Sequence, residues 1–302
     1  MNTKINFCGV EFKNPIVTAS GTFGFGVEYN EYAPLEEYGG FAAKGLTRRE
    51  RAGNPPPRIC EVPSGIINSV GLQNPGVECF CEQIMPFLAT KDTNVIANMS
   101  GNTVQEYCEM AALLSETDAA IVEMNVSCPN VKQGGLAFGT DPKTVEELTR
   151  EVKKHCKKPL IVKLSPNVTS IAEIAKAAEA GGADGLSLIN TILAMKIDIE
   201  TRKPVLANNM GGLSGACVRP VAVRMVYQAA QAVKIPIIGM GGVMSGADVI
   251  EFMLAGASLV ALGTGLFVKP DLIFDVKRDI KAYMRRHNID SLDSIIGKVQ
   301  MN

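Results

Sequence analysis

The apolar run "AAIVEM", residues 119–124, leads directly into "NVSCPN", residues 125–130. The run is continuous rather than alternating, which is how a parallel strand covered on both faces reads. The residues after it are polar. They place a cysteine between asparagines and beside a proline, a combination that packing alone does not require. A buried strand that ends in such residues points to a fold whose strand ends form a site.

Seven further runs have the same character: "NPIVTAS" (14–20), "GGFAAKGL" (39–46), "NVIANMS" (94–100), "PLIVKLS" (159–165), "GADGLSLIN" (182–190), "IPIIGMGG" (235–242) and "ASLVALGTG" (257–265). Between most of them lie amphipathic segments of helical period, clearest at 103–117, 141–156, 170–181, 220–233 and 245–257. "TDPKTVEEL" carries a proline and acidic residues where a helix should begin. "EAGGADG" and "LAGAS" place glycine where helices should stop. Strand–helix alternation repeated about eight times predicts a (β/α)8 TIM barrel. A doubly wound open sheet would give fewer units and one glycine-rich switch-point loop. No composition shift suggests a linker, so residues 1–302 are expected to form a single domain. Two inserts, from "AAKGLT" to about Gly76 and from "LINT" to about Gly215, exceed plain loops, and long loops in a compact barrel are usually functional.

Composition excludes several function classes. The 302 residues carry a formal net charge of -1 and are 46% hydrophobic. That balance makes no electrostatic case for nucleic acid or an anionic membrane. No stretch approaches the roughly 20 apolar residues of a membrane span, and "MNTKINFCGV" lacks a signal-peptide core. The eight cysteines are scattered, so reduced thiols and a cytoplasmic location are expected. The one close pair, Cys79 and Cys81, has no second pair at zinc or iron–sulfur spacing, and no metal site is expected.

In a barrel, function sits at the C-terminal strand ends. Those ends carry Ser20 and Gly21, Lys44, Asn98, Asn125 and Cys128, Lys163, Asn190 and Thr191, Gly241 and Gly242, and Gly263 and Thr264. A lysine at the end of an apolar strand is expensive to bury unless an anion awaits it. Two of them beside asparagines favour an anionic ligand over solvated strand termini. "GMGGV" and "ALGTG" follow the seventh and eighth runs, the usual barrel phosphate site; the plainer reading is that their glycines only turn the chain. Asn68, Asn125, Asn130 and Asn190 offer the donors and acceptors that a substrate with amide or imide edges requires, although a lone asparagine after a strand is most often a turn residue. Cys128 has no partner cysteine. Its reference pKa of about 8.5 suits a general base or acid. A nucleophile and a small buried hydrophobe are the other readings. His155 and His287, in "KKHCKK" and "MRRHNID", read as solvated helix ends and not as partners for a catalytic cysteine.

In the same order along the chain, "AAKGLT", "INSVGLQNPG", "NVSCPN", "IVKLSPN", "GGLSG", "GMGGV" and "LGTG" resemble the motifs of class 1 dihydroorotate dehydrogenases. The resemblance runs from "NPIVTASGTFG" to "LGTGLF". "GNPPPR", and "GGLSG" followed by "RPVAVR", look like the class 1B catalytic subunit. Cys128 and the lack of an N-terminal membrane segment depart from class 2, which usually has serine as its base. The resemblance implies FMN-dependent oxidation of dihydroorotate to orotate in pyrimidine biosynthesis. Cys128 would take the C5 proton while a hydride leaves C6 for the flavin. Lys44, Asn68, Ser69, Val70, Gly71, Leu72, Asn125, Asn190 and Thr191 would hold the substrate. Ser20, Lys44, Gly45, Asn98, Asn125, Lys163, Ile189, Gly215, Gly241, Gly242, Gly263 and Thr264 would hold FMN. Where many relatives have proline after "GGLSG", this chain has Ala216 and then Cys217.

No G-x-G-x-x-G follows a strand, so no dinucleotide fold is evident. The class 1B resemblance implies a partner subunit carrying FAD and a [2Fe–2S] cluster, NAD as final acceptor, and a homodimer within a heterotetramer. Rival readings are a fumarate-linked class 1A enzyme, a dihydropyrimidine dehydrogenase-type barrel acting on neutral rings, a flavin-free lyase or isomerase for a phosphorylated metabolite, and a non-catalytic scaffold.

Overall fold

The computed structural model describes residues 1–127 and 138–302. Eight strands occupy the eight predicted runs: β1 (Ile16–Thr18), β2 (Gly40–Ala42), β3 (Asn94–Met99), β4 (Ile121–Asn125), β5 (Leu160–Lys163), β6 (Gly185–Leu188), β7 (Ile237–Met240) and β8 (Leu259–Leu262). They pair in parallel in the order β1-β8-β7-β6-β5-β4-β3-β2. Gly39 N–H, just before β2, donates to Ile16 O of β1 at 2.9 Å and joins the two ends of that order. Apart from Asn94, every residue of these strands is buried, which is why the runs show no alternation.

Helices α1 (Val104–Ser115), α2 (Pro142–His155), α3 (Ile171–Ala180), α4 (Arg219–Ala232), α5 (Gly246–Ala255) and α6 (Leu272–Arg286) surround the strands. Four start on side-chain caps. Thr103, Asp141, Ser170 and Ser245 accept from the backbone N–H of Glu106, Thr144, Glu173 and Asp248. Each such cap is worth about 1 kcal/mol. Pro142 occupies the first turn of α2, as expected, and Gly256 ends α5 at φ +120°. The alternation is imperfect early in the chain. Between β1 and β2 the structure has only two short 3-10 turns, Val27–Tyr29 and Leu35–Glu37.

The two long inserts have a common structure that their sequences do not announce. Strands Ile59–Val62 and Gly65–Asn68 from the first pair with Gly211–Ser214 and Ile192–Ala194 from the second, forming one four-stranded antiparallel sheet. Both inserts follow C-terminal strand ends, so the sheet stands over that mouth. The opposite end is closed by the hairpin Ile5–Phe7 and Val10–Phe12. Its Cys8 Sγ donates to Asp184 O at 3.1 Å, just before β6.

Candidate active site

Two cations set the electrostatics of the mouth. Lys163 is the last residue of β5 and only 5% exposed. Its Nζ has Ser20 Oγ at 3.5 Å as hydrogen-bond partner. Lys44 lies two residues beyond β2 and is partly buried. Neither lysine has a carboxylate within ion-pair distance among the described residues. Burial, then repulsion from Lys163, then repulsion from Arg58 hold the Lys44 ammonium below its ordinary pKa. The Lys44 ammonium therefore feels the charges of both Lys163 and Arg58. Buried cations without a counter-charge are costly, and an anionic ligand would relieve that cost.

An amide ring lies beside them. Asn125 ends β4, and its Oδ1 accepts from Ser127 N at 3.1 Å and Ser127 Oγ at 2.6 Å. Asn190, two residues past β6, brings its Nδ2 to 3.4 Å from Asn125 Oδ1 and also donates to Ser127 Oγ. Thr191 N donates to Asn190 Oδ1 at 2.7 Å. Tyr107 OH anchors the end of β4 by donating to Asn125 O at 2.8 Å.

Residues 68–72 are held against this ring by the insert sheet. Asn68 Nδ2 donates to Gly212 O at 3.2 Å. Gly212 has to be glycine, because a Cβ there would lie 1.9 Å from Thr191 Oγ1. Asn54 Nδ2 holds Ser69 O at 2.9 Å, and Asn54 N–H donates to Val70 O. The buried Asn74 donates to Leu72 O at 2.6 Å and to Thr47 Oγ1 at 2.8 Å. Ser69 Oγ is buried with no partner among the described residues. Gly45 completes this edge: a Cβ there would stand 2.8 Å from Asn98 Oδ1 and 3.4 Å from a Leu72 methyl.

The glycine loops converge on the other side. Gly242, at φ +76°, lies so close to the insert that a Cβ would be 2.6 Å from Gly215 O. Thr264 Oγ1 donates to Ser214 Oγ at 2.8 Å, tying the loop after β8 to the same insert. Ile189 N–H donates to Met240 O at 3.0 Å, beside Gly241. The backbone N–H groups of Gly241, Gly242, Gly263 and Thr264 donate to no acceptor among the described residues. Four such donors in two adjoining loops suit the oxygens of a phosphate group.

Cys128 and Asn130 lie outside the described residues. All the other predicted site residues stand at this one mouth or on the sheet above it. Arg58, Asn54, Asn74, Ser127 and Glu123 belong to the same assembly and were not singled out from the sequence. Four of them read as ordinary loop residues. Glu123 did carry a signal, being the one acid within an otherwise apolar strand. The histidines lie elsewhere. His287 follows α6, against Tyr283. His155 ends α2, where its imidazole, Glu151 and Cys108 have their ligand atoms within 4.8 Å of one another. That cysteine–histidine proximity was not expected, but it is on the outer helices and not at the strand ends.

The family model described as Dihydroorotate dehydrogenase matches residues 2–284. The chain belongs to the dihydroorotate dehydrogenase family. That family has a TIM barrel, as observed here. The chain is 56% identical over 299 residues to the "Dihydroorotate dehydrogenase B (NAD(+)), catalytic subunit" of Alkaliphilus metalliredigens (strain QYMF), covering 99% of each chain. It is 54% identical over 298 residues to the protein of that name from Alkaliphilus oremlandii (strain OhILAs), again covering 99% of each. It is 52% identical over 302 residues to that from Thermoanaerobacter pseudethanolicus (strain ATCC 33223 / 39E), covering 100% of each. Among dihydroorotate dehydrogenases, these relatives carry in their names both the NAD-linked activity and the division into subunits. No helix among the described residues is long and apolar enough to cross a membrane.

Proposed function

We propose that the chain is the catalytic subunit of an NAD-linked dihydroorotate dehydrogenase, a single barrel domain that oxidises dihydroorotate to orotate with FMN at its mouth. The observation that carries this reading is the pair Lys44 and Lys163: cations at the strand ends of a dihydroorotate dehydrogenase barrel, with no carboxylate in ion-pair reach among the described residues. The residues present fit FMN. Lys163 and Ser20 offer donors to an electron-rich ring edge; among the described residues Asn98 Oδ1 is a buried acceptor without a donor, and the N–H groups of Gly241, Gly242, Gly263 and Thr264 have no acceptor and suit its phosphate. Gly45, Asn125, Ile189 and Gly215 complete its lining. Bound there, FMN supplies an acceptor for the hydride that leaves C6 of the substrate.

The chain's own residues do the rest. Lys44 and the Asn68–Leu72 segment face the substrate carboxylate and ring. Asn125, Asn190 and Thr191 match the donor and acceptor edges of the dihydropyrimidine. Cys128 takes the proton from C5, so that a proton and a hydride together leave the C5–C6 bond unsaturated. A flavin has to pass its electrons on, and the names of the relatives support NAD as the acceptor, rather than fumarate, through a separate subunit. We assign FAD and a [2Fe–2S] cluster to that partner, in a heterotetramer built on a homodimer of this chain in the cytoplasm. The cationic mouth favours carboxylate-bearing dihydroorotate over a neutral dihydropyrimidine.

The test is direct. Purified protein should be yellow, carry one FMN per chain, and be bleached anaerobically by dihydroorotate but not by dihydrouracil. Colourless protein that takes up no FMN, or equal bleaching by both substrates, would overturn the proposal.

A further inference from the structure

Glu123 is a buried carboxylate in the barrel interior, one turn of the pleat below Asn125 on β4 and 1% exposed. Its two oxygens are both engaged. Oε2 accepts from Asn98 Nδ2 of β3, its register partner, and Oε1 accepts from Ser187 Oγ of β6 at 2.5 Å. Asn98 and Ser187 are wholly buried as well. The other end of the Asn98 amide, Oδ1, has no partner among the described residues. It faces Gly45, where any side chain would cover it, since a Cβ would stand 2.8 Å away.

These contacts form a chain of forced choices. A carboxylate offers acceptors only, so the amide group turned toward Glu123 has to be the NH2. Turning the amide over would set Oδ1 against a carboxylate oxygen and leave both without a donor, which is costly in a buried site. The group left on the Gly45 side is therefore a carbonyl oxygen, still without a donor among the described residues. We infer that Glu123 is a positioning residue: it locks the Asn98 carboxamide so that Oδ1, and not the NH2 group, is presented to the ring of the bound flavin. This rests on the reading that FMN occupies the mouth. The oxidised flavin ring has a single N–H, at N3, and that is the donor this acceptor selects.

The experiment titrates apoprotein with FMN and with 3-methyl-FMN, which lacks that N–H, and compares wild type with Glu123→Gln. Wild type should prefer FMN by roughly tenfold, about the worth of one hydrogen bond. A glutamine can donate as well as accept, so it no longer dictates which way Asn98 turns. Glu123→Gln should therefore weaken FMN and leave 3-methyl-FMN nearly unchanged, so the preference contracts toward parity. A merely structural defect would weaken both flavins alike and keep the ratio, and that result overturns the inference. Should Glu123→Gln fail to fold, Asn98→Leu is read in the same titration, and an undiminished preference for FMN in that variant also overturns it. Wild type that binds neither flavin removes the FMN reading itself, and this inference with it.

Discussion

Asn190 Nδ2 lies 3.4 Å from Asn125 Oδ1, so the ends of β6 and β4 meet across the intervening end of β5. Ser127 Oγ takes a second hydrogen bond from the same Asn190 amide. Groups that share partners this closely do not act independently. Asn125→Ala and Asn190→Ala should each raise the dihydroorotate KM and lower kcat/KM, by about tenfold or more if a substrate hydrogen bond is lost. The double variant should lose less than the product of the two. Steady-state kinetics on the four proteins gives the coupling, and strict multiplicativity would show that the contact is incidental.

Lys163 is buried at the end of β5 without a carboxylate partner among the described residues. Lys163→Ala should weaken flavin retention or slow flavin reduction, because a cation near the ring stabilises its anionic reduced form. Gel filtration followed by stopped-flow bleaching checks both. Full flavin content together with a wild-type reduction rate would remove Lys163 from the site.

The lowered pKa of Lys44 makes a stability prediction for the flavin-free protein. Burial, Lys163 and Arg58 all disfavour its charged form in the fold. Below the unfolded lysine pKa of about 10.4, the unfolded chain then binds more protons than the native one. Stability contributed at this position should rise as pH climbs through the depressed native pKa and level off near the unfolded value. Cys8 opposes it at alkaline pH: burial first, and Asp184 second, push its thiol up to about 12, so that term declines above the unfolded cysteine value. The quantity to measure is therefore the difference between wild type and Lys44→Met in thermal unfolding against pH. Wild type should gain on the variant as pH rises, and a flat difference would contradict the burial argument.

NAD reduction should need a second protein. The chain has neither a G-x-G-x-x-G after a strand nor paired cysteines at cluster spacing. The pure subunit should reduce an artificial dye with dihydroorotate as donor, yet leave NAD untouched until a partner is co-purified. Rapid NAD-linked turnover by the isolated subunit would disprove this.

Cys128 should be the base for the C5 proton. Cys128→Ser should fold, stay yellow and bind orotate. Its single-turnover flavin reduction should fall by something like 10²–10⁴-fold, the usual loss for a positioned base, and recover in part at high pH. Cys128→Ala should not recover, and no covalent adduct should appear in either. Near wild-type bleaching in Cys128→Ala would exclude the residue from the mechanism.

The barrel strands were legible in the sequence for a simple reason. A parallel strand covered on both faces needs apolar residues at every position, so runs such as "PLIVKLS" mark themselves without reference to the rest of the chain. The helix start in "TDPKTVEEL" was legible because a proline and acidic residues favour a first turn locally, and the side-chain caps at Asp141 and Ser170 became visible only in the structure. Lys44 and Lys163 stood out because a charge at the end of an apolar run has few innocent explanations. What only the tertiary structure decided is which distant groups share a contact. The pairing of Gly65–Asn68 with Gly211–Ser214 joins segments some 140 residues apart in the chain, and nothing local in either insert names its partner. Glu123 was visible as an acid in a buried strand, but its meaning depends on Asn98 and Ser187 arriving from β3 and β6. Local order follows from local chemistry. The site comes from closing the barrel, which brings eight separate strand ends to one mouth.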